Sequence, residues 1–556
     1  MGNWLLNELP KWILFTAWLA LNIALFVNTY LSYMADKYVY LRVLIGHGLP
    51  FARSSAYIIN VNSMLILLPV CRNLISFLRG TCGCCTRVRR QLDRNIIVHR
   101  FLAYWICLLS IIHTGAHCYN FEHFVLAHHS SDGLVQTLSN LPDGPNPIKE
   151  PNSDAIKALF KFIPGVTGIV LVLALVLMVS SSTNFIRRSY FEVFWFTHHL
   201  FVIYYIAIVI HGMQGVVKAQ TNIDVHDPNV CRDQYDGGWG TATCPIPTFE
   251  GSSGSSWKWV VGPFALYLLE RCVRLYRSFQ PVTIHKVVKH PSRTIELLLK
   301  KPGFHAEVGQ YVFLHCPKIS QLEWHPFTLT SCPEDENISI HLRIVGDWTS
   351  ALAMACGVDS DQQPEKLPRL AIDGPFGTAS EDVFNYPVVL LVGAGIGVTP
   401  FASVLKSIWY KYNDENVQLK LEKVYFYWIC PDTMSFEWFA DLLKSLERQM
   451  VAKGLPQFLD YNIYLTRGWD ANQARNIVLH EEAVYDVVTN LRHKTHYGRP
   501  NWEQIFSAMA AAHPATKIGV FLCGPKVLSP TLRQLCNRHS SVDTAGARFY
   551  FNKENF

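Results

Sequence analysis

Six runs of predominantly apolar residues crowd the first half of the chain, at about 11–33, 50–78, 99–121, 162–182, 194–216 and 257–275. Each reaches the roughly 20 residues a helix needs to cross a bilayer. The first has full spanning length and no small-residue cleavage site, so it reads as an anchor and not as a secretory signal. From Pro281 the texture changes. The runs VTIHKVV, TIELLL, YVFLHC and ISIHLRIV alternate with the period of half-buried strands. Later runs pair a strand with a helix: VVLLVG before TPFASVLKSIWYKY, KVYFYWI before SFEWFADLLKSLERQM, and IGVFLCG before a final helix. That order predicts a six-helix transmembrane bundle over 1–280, a β-barrel over 281–385 and a parallel α/β domain over 386–556.

Composition and charge orient this layout. Half of the 556 residues are hydrophobic and only 17% are charged, which suits a membrane portion joined to soluble domains. Arg79, Arg87, Arg89, Arg90 and Arg94 lie between spans two and three, Arg187 and Arg188 between spans four and five, and Arg271, Arg274 and Arg277 after span six. The loops 122–161 and 217–256 are longer and less basic. Positive charge stays inside, so both termini are expected in the cytosol. The net charge of +6 is mostly this signal, and no basic stripe interleaved with aromatics suggests nucleic acid. Cys231 and Cys244, in the last outer loop, suit a disulfide; Cys82, Cys84 and Cys85 are expected as reduced or acylated cytosolic thiols. The single Asn-x-Ser/Thr, at Asn337, falls in the cytosolic half, so no glycan is expected outside.

Two spans carry histidines near both ends. Span three has His99, His113 and His117; span five has His198, His199 and His211. A polar ring in hydrocarbon is costly and faces a partner. His99 and His113, 14 residues apart, are separated by about 21 Å of rise and lie within about 40° of one helix face. His211 lies about 19.5 Å from His198. The helices run parallel, so His99 meets His198 or His199 on the inner side, and His113 meets His211 on the outer. The occupant that fits is haem, with an imidazole on either side of the iron. On an ideal helix His198 and His211 stand about 140° apart, and His199 and His211 about 120°, so a bend or a π-bulge is expected between them.

HPFTLTS (325–331) and HLRIVGDWT (341–349) combine aromatics, hydroxyls and an arginine in a way that suits a flavin and its phosphates. In VVLLVGAGIGVTPF (388–401) a strand runs into Gly393, Gly395 and Gly397 before a helix opens at Thr399 and Pro400. Glycines admit a pyrophosphate and the helix N-terminus offers free N–H groups, although the spacing departs from strict G-x-G-x-x-G. Cys523, Gly524 and Pro525 end another strand, where such sheets place ligands.

These stretches, with DGPFG (373–377), YGRPNW (497–502), FNKENF at the C-terminus, RRSYFEVFWFTHHLF and LLPVCRNLISFLRG, resemble the NADPH oxidase catalytic subunits nearly end to end. MGNW and the short loops lie nearest the phagocyte-type subset, and no EF-hand precedes the spans. The resemblance implies a ferric-reductase-like bundle with two b-type haems, followed by a ferredoxin–NADP reductase-like unit. It assigns His99 and His198 to the inner haem and His113 and His211 to the outer one. It puts Arg72 at the inner haem, and Arg53 and His117 where dioxygen is reduced. It gives FAD to His325, Pro326, Phe327, Thr328, His341, Arg343, Trp348 and Thr349, with Phe556 covering the flavin. It gives NADPH to Gly393, Gly395, Gly397, Thr399, Pro400, Cys523, Gly524 and Pro525, with Arg499 reaching the 2′-phosphate. Two departures stand out. Pro431 follows YWIC where the family often has arginine, so the preference for NADPH rests more on Arg499; and Arg467 is inserted in YLTRGWD.

The implied activity is electron transfer from cytosolic NADPH through FAD and both haems to dioxygen, releasing superoxide outside. The implied partners are membrane lipid, a small membrane subunit, cytosolic organiser and activator subunits and a Rac GTPase, at the plasma membrane. The rival is a ferric or cupric chelate reductase of the same layout, for which the outer-loop His123, His128 and His129 would have to build a metal pocket. A non-enzymatic haem-bearing channel or receptor is disfavoured by the intact flavin and nucleotide motifs.

Overall fold

The computed structural model describes residues 3–81, 86–237, 239–252, 254–290, 293–358, 366–414, 416–431, 437–466, 486, 491 and 495–554. Phe556, Arg467 and the Cys82, Cys84 and Cys85 trio lie outside them. The chain divides into two compact units. One contains Leu14–Cys71 and Asn95–Leu269; the other contains Met1–Ile13, Arg72–Arg94 and Glu270–Phe556.

The first unit is helical. Its main elements are α1 (Leu5–Ser32, from residue 14), α2 (Gly48–Ile66), α3 (Asn95–Leu126), α4 (Ile163–Ser181), α5 (Phe191–His198), α6 (Phe201–His211) and the start of α7 (Trp257–Phe279). Pro164 sits in the first turn of α4, where its missing N–H costs nothing. Ile58, Ile106, Leu109, Tyr204, Tyr205 and Ile208 form the core between these helices. Outward-facing Ile111, Leu173 and Val176 are more than half exposed, as a lipid-facing surface requires. A second apolar cluster in the loop regions gathers Tyr40, Leu44, Leu138 and Trp239 around the disulfide between Cys231 and Cys244.

The structure refines three of the predicted runs. Among the described residues five segments are long and apolar enough, by length and composition, to cross a membrane. The sixth run does form α7, but Lys258, Glu270, Arg271, Arg274 and Arg277 dilute it. The second run ends early: α2 stops at Ile66, and a separate helix takes Arg72–Thr81 after a turn at Cys71. The fifth run is two helices, because the chain tightens into i→i+3 bonds at His199 and Leu200. The His199 imidazole donates through Nδ1 to the Trp195 carbonyl at 2.6 Å, filling in for the backbone donor lost there.

The second unit holds the two predicted soluble folds. Strands β1 (Thr283–His290), β2 (Thr294–Lys300), β3 (Tyr311–His315), β4 (His325–Thr328), β5 (Ile338–Arg343) and β6 (Ala371–Phe376) form two three-stranded antiparallel sheets, ordered β1-β2-β5 and β4-β3-β6. Their alternating inner residues, among them Ile295, Leu297, Val312, Leu314 and Ile340, make one core. Helix α8 (Asp347–Ala355) closes it with Trp348 and Leu352.

The remainder is a six-stranded parallel sheet of β7 (Val388–Ala394), β8 (Lys423–Cys430), β9 (Leu459–Leu465), β10 (His496–Tyr497), β11 (Lys517–Cys523) and β12 (Arg548–Lys553). The order is β10-β9-β8-β7-β11-β12. Helices α9 (Thr399–Asn413) and α10 (Glu437–Ala452) pack on one face, α11 (Trp502–Ala512) and α12 (Leu528–His539) on the other. The order reverses between β7 and β11, which makes that crevice the ligand-binding switch point of an open α/β sheet.

Candidate electron-transfer site

In the helical unit the six histidines sort themselves by hydrogen bonding. The rings of His99 and His198 stand 6.1 Å apart, and those of His113 and His211 stand 6.0 Å apart, each pair inclined at 61°. All four Nδ1 atoms are engaged. His99 donates to the Ile66 carbonyl at 2.9 Å and His113 to the Ala52 carbonyl at 3.0 Å. His198 meets Ser182 Oγ at 3.2 Å and His211 meets Thr167 Oγ1 at 3.0 Å. Both hydroxyls spend their own hydrogen on a carbonyl four residues back, Met178 and Ile163, so they accept from the imidazoles. Every ring therefore carries its proton on Nδ1 and leaves the Nε2 lone pair free, which is how outer-shell hydrogen bonds prepare a metal-binding histidine.

The spacing fits one metal per pair. A metal–imidazole bond is about 2 Å and the ring centre lies about 1 Å behind its nitrogen, so two rings sharing a metal sit roughly 6 Å apart. His99 and His113 ride one uninterrupted helix, which keeps the pairs at separate depths. The break after His198 frees the azimuth of His198 from that of His211, supplying the bend the sequence required. It is the His198 ring that stands opposite His99, while the His199 ring packs against Trp195 and Phe201. His117 packs edge-on against His113 at 4.6 Å, and Arg53 Nε donates to the Tyr33 hydroxyl at 2.9 Å. Ser182 and Thr167 are not legible as partners in the sequence, because hydroxyls in apolar helices usually bond their own backbone, and nothing local marks these two as doing more.

In the second unit, His325 stacks on Trp348 at 4.2 Å, and Phe327 lies parallel to the same indole at 6.0 Å. Trp348 is 7% exposed, and its buried Nε1 finds no protein acceptor among the described residues. An orphan donor beside parallel aromatic faces fits a flat ligand with polar edges, as a flavin is. Thr349 has a structural duty: its hydroxyl accepts from the Val345 and Gly346 N–H groups and caps α8. Arg343 is exposed at the end of β5. His341 stands apart from this group; it stacks on Trp438 at 4.0 Å and faces Glu296. Arg72 lies with its guanidinium over Phe313 at 4.0 Å.

At the sheet's switch point, Cys523 on β11 is paired with Gly393 on β7. Gly395 has φ +57° and open space around it. Gly397 serves closeness: a Cβ there would lie 2.4 Å from the Cys523 carbonyl oxygen. A Cβ on Gly524 would come 2.9 Å from that of Ala394. The glycines thus let the 393–397 and 523–525 loops converge at the strands' C-terminal ends, with α9 opening at Thr399 and Pro400. Burial pushes the Cys523 thiol above its ordinary value, so it remains a neutral thiol at physiological pH. Arg499 is exposed just past β10, at the same edge as Pro431 past β8.

The outer-loop histidines do not converge. His128 bonds the Ile148 carbonyl, His129 the Pro151 carbonyl and His123 the Tyr119 carbonyl, each at 2.9 Å.

Comparison with known proteins agrees with this layout. Residues 58–209 match the family described as ferric reductase like transmembrane component, 279–380 the FAD-binding domain, and 386–537 the ferric reductase NAD binding domain. The chain is 50% identical over 568 residues to NADPH oxidase 1 of Mus musculus, covering 100% of this chain and 95% of that one. It is equally identical over 568 residues to NADPH oxidase 3 of Homo sapiens, covering 100% of both. Similarity extends to a superoxide-generating NADPH oxidase heavy chain of Dictyostelium discoideum, at 39% over 560 residues, covering 99% of this chain and 97% of that one.

Proposed function

Since this chain belongs to the NADPH oxidase family, we propose that His99 and His198 hold an inner haem, His113 and His211 an outer one, and that the protein delivers electrons from NADPH to dioxygen as superoxide. When bound, FAD converts hydride transfer from NADPH into single-electron steps, and the haems relay those electrons across the membrane. The observation that carries the reading is the pair of imidazole couples about 6 Å apart, each ring oriented by a bond at Nδ1.

The chain's own groups do the rest. His99 with His198, and His113 with His211, would each hold a haem through two imidazoles, and the haems would supply one-electron transfer toward dioxygen. Arg53 and His117 attract the nascent anion near His113. Arg72 serves a propionate of the inner haem. His325, Pro326, Phe327, Thr328, Arg343, Trp348 and Thr349 seat FAD, with His341 on the same strand as Arg343, and Phe556, outside the described residues, covers it. Gly393, Gly395, Gly397, Thr399, Pro400, Cys523, Gly524 and Pro525 form the nucleotide crevice. Arg499, on the same sheet edge as Pro431, selects the 2′-phosphate without help from a second guanidinium at that proline's position. Both termini face the cytosol at the plasma membrane, where a small membrane subunit, organiser and activator subunits and a Rac GTPase assemble.

The chelate-reductase reading loses its support where His123, His128 and His129 turn to separate backbone carbonyls. NADPH oxidation by membranes, with dioxygen or ferric chelate as sole acceptor, tests the choice. Superoxide-dismutase-sensitive reduction of cytochrome c is expected. Turnover with ferric chelate alone, and none with dioxygen, would overturn the reading.

A further inference from the structure

One cluster in the cytosolic unit lies apart from the stacked His325 and Trp348 and shares only His341 with the flavin set implied by the resemblance. The register of β2 with β5 sets Glu296 opposite His341. The register of β1 with β2 sets His290 opposite Thr294, diagonal to Glu296 and on the same sheet face. A ligand atom from each of His290, Glu296 and His341 lies within 4.8 Å of the others. Glu296 Oε2 is 3.6 Å from His290 Nε2 and 3.8 Å from His341 Nε2.

Packing alone is a poor account of these distances. An imidazole paired with a carboxylate for its own sake closes to about 2.7–3.2 Å. Ligands around a tetrahedral metal, with bonds of about 2.0–2.1 Å, stand roughly 3.4 Å apart. The two Glu296 contacts, at 3.6 and 3.8 Å, lie nearer the second value. Its supports point the same way. Glu296 Oε1 accepts from Ser339 Oγ at 2.9 Å, which leaves Oε2 for the centre. His341 Nδ1 is bonded to Thr330 Oγ1 at 2.8 Å, which leaves Nε2. Thr330 and Ser339 are themselves joined at 2.9 Å, so both supports are one network. His290 Nε2 is buried and has no hydrogen-bond partner among the described residues. His290 and His341 stack at 5.4 Å, and Trp438 covers His341.

We propose that His290, Glu296 and His341 form a binding site for a divalent transition metal of the zinc class, with water as the fourth ligand. Two imidazole nitrogens and one carboxylate oxygen suit zinc; calcium and magnesium require six or more oxygens. The His290 and Glu296 side chains are 16% and 21% exposed, which admits the water. The bound ion clamps β1, β2 and β5 where Trp438 of α10 packs on His341, bracing the two soluble folds.

The test uses the full-length, FAD- and haem-loaded protein in detergent, stripped with chelator and then equilibrated with buffered zinc. Wild type is expected to retain one more equivalent than His290→Ala or Glu296→Gln, whose affinity for it falls at least tenfold. All three should keep the same flavin and haem content. Zinc-edge X-ray absorption should show imidazole nitrogens at about 2.0–2.1 Å in the wild type. Glu296→Gln keeps the shape and the Ser339 contact, so it reports even if His290→Ala fails to fold. Equal zinc content and affinity in wild type and Glu296→Gln would overturn the proposal, as would a zinc shell without imidazole.

Discussion

Arg79 anchors the Arg72–Arg94 segment to the FAD- and NADPH-binding unit, and Arg79→Met should detach it. The guanidinium is 1% exposed and pairs at once with Asp93, with Glu381 at 3.0 Å and with Asp382 at 3.1 Å. Arg89 adds a second contact to Asp382, at 2.6 Å. Two cations thus hold three carboxylates in a site from which water is largely removed. The methionine side chain would match the volume but leave Arg89 facing Asp93, Glu381 and Asp382 alone. Breaking a buried pair by removing one partner costs about 3–5 kcal/mol, because the other charge stays desolvated. For a unit of about 320 residues the unfolding entropy is roughly 0.7 kcal/mol/K, so the loss amounts to about 4–7 °C in Tm. The assay is thermal release of FAD from the full-length protein, followed by flavin fluorescence. Arg79→Lys should recover only part of the loss, since an ammonium cannot fork toward three carboxylates. Arg79→Met with Asp382→Asn should recover more than an additive sum, because the stranded charge is the source of the cost. A shift below about 1 °C for Arg79→Met, or strict additivity in the double variant, would refute the reasoning.

Three further outcomes are expected. His198→Leu should abolish the inner haem spectrum and superoxide output, while His199→Leu keeps both haems; loss of haem in the His199 variant would reverse the assignment. Gly397→Ala drives a methyl to 2.4 Å from the Cys523 carbonyl and spreads the crevice, so KM for NADPH should rise at least tenfold with haem spectra unchanged; an unchanged KM counts against that site. Burial pushes Glu554 up from 4.5 to about 7, with hydrogen bonds from the Ser380 N–H and hydroxyl pulling the other way. A carboxyl whose folded pKa is raised lends stability that is complete below about pH 4.5 and is lost as pH rises through about 7. The total is about 3 kcal/mol. Glu554→Gln should remove this slope between about pH 4.5 and 7 in thermal unfolding, and identical slopes in both proteins would show that Glu554 is not the group responsible.

The apolar runs and strand patterns were legible residue by residue, because burial in lipid or in a sheet core imposes a local period on the chain. So were His99 and His113, whose spacing on one helix is fixed by its rise of about 1.5 Å per residue, and the glycines that precede α9. Other features arise from contacts between residues remote in sequence, and only the tertiary structure decided them. Which of His198 and His199 stands opposite His99 depends on how the helices pack. The closeness of Gly397 to the Cys523 carbonyl, which leaves no room for a Cβ, is set by the approach of two loops remote in sequence. The Arg79 and Glu296 clusters gather side chains from different helices and strands, for which a linear pattern has no period to reveal. Local sequence sets what each segment can become; which polar atoms share a desolvated space is determined only when the segments pack.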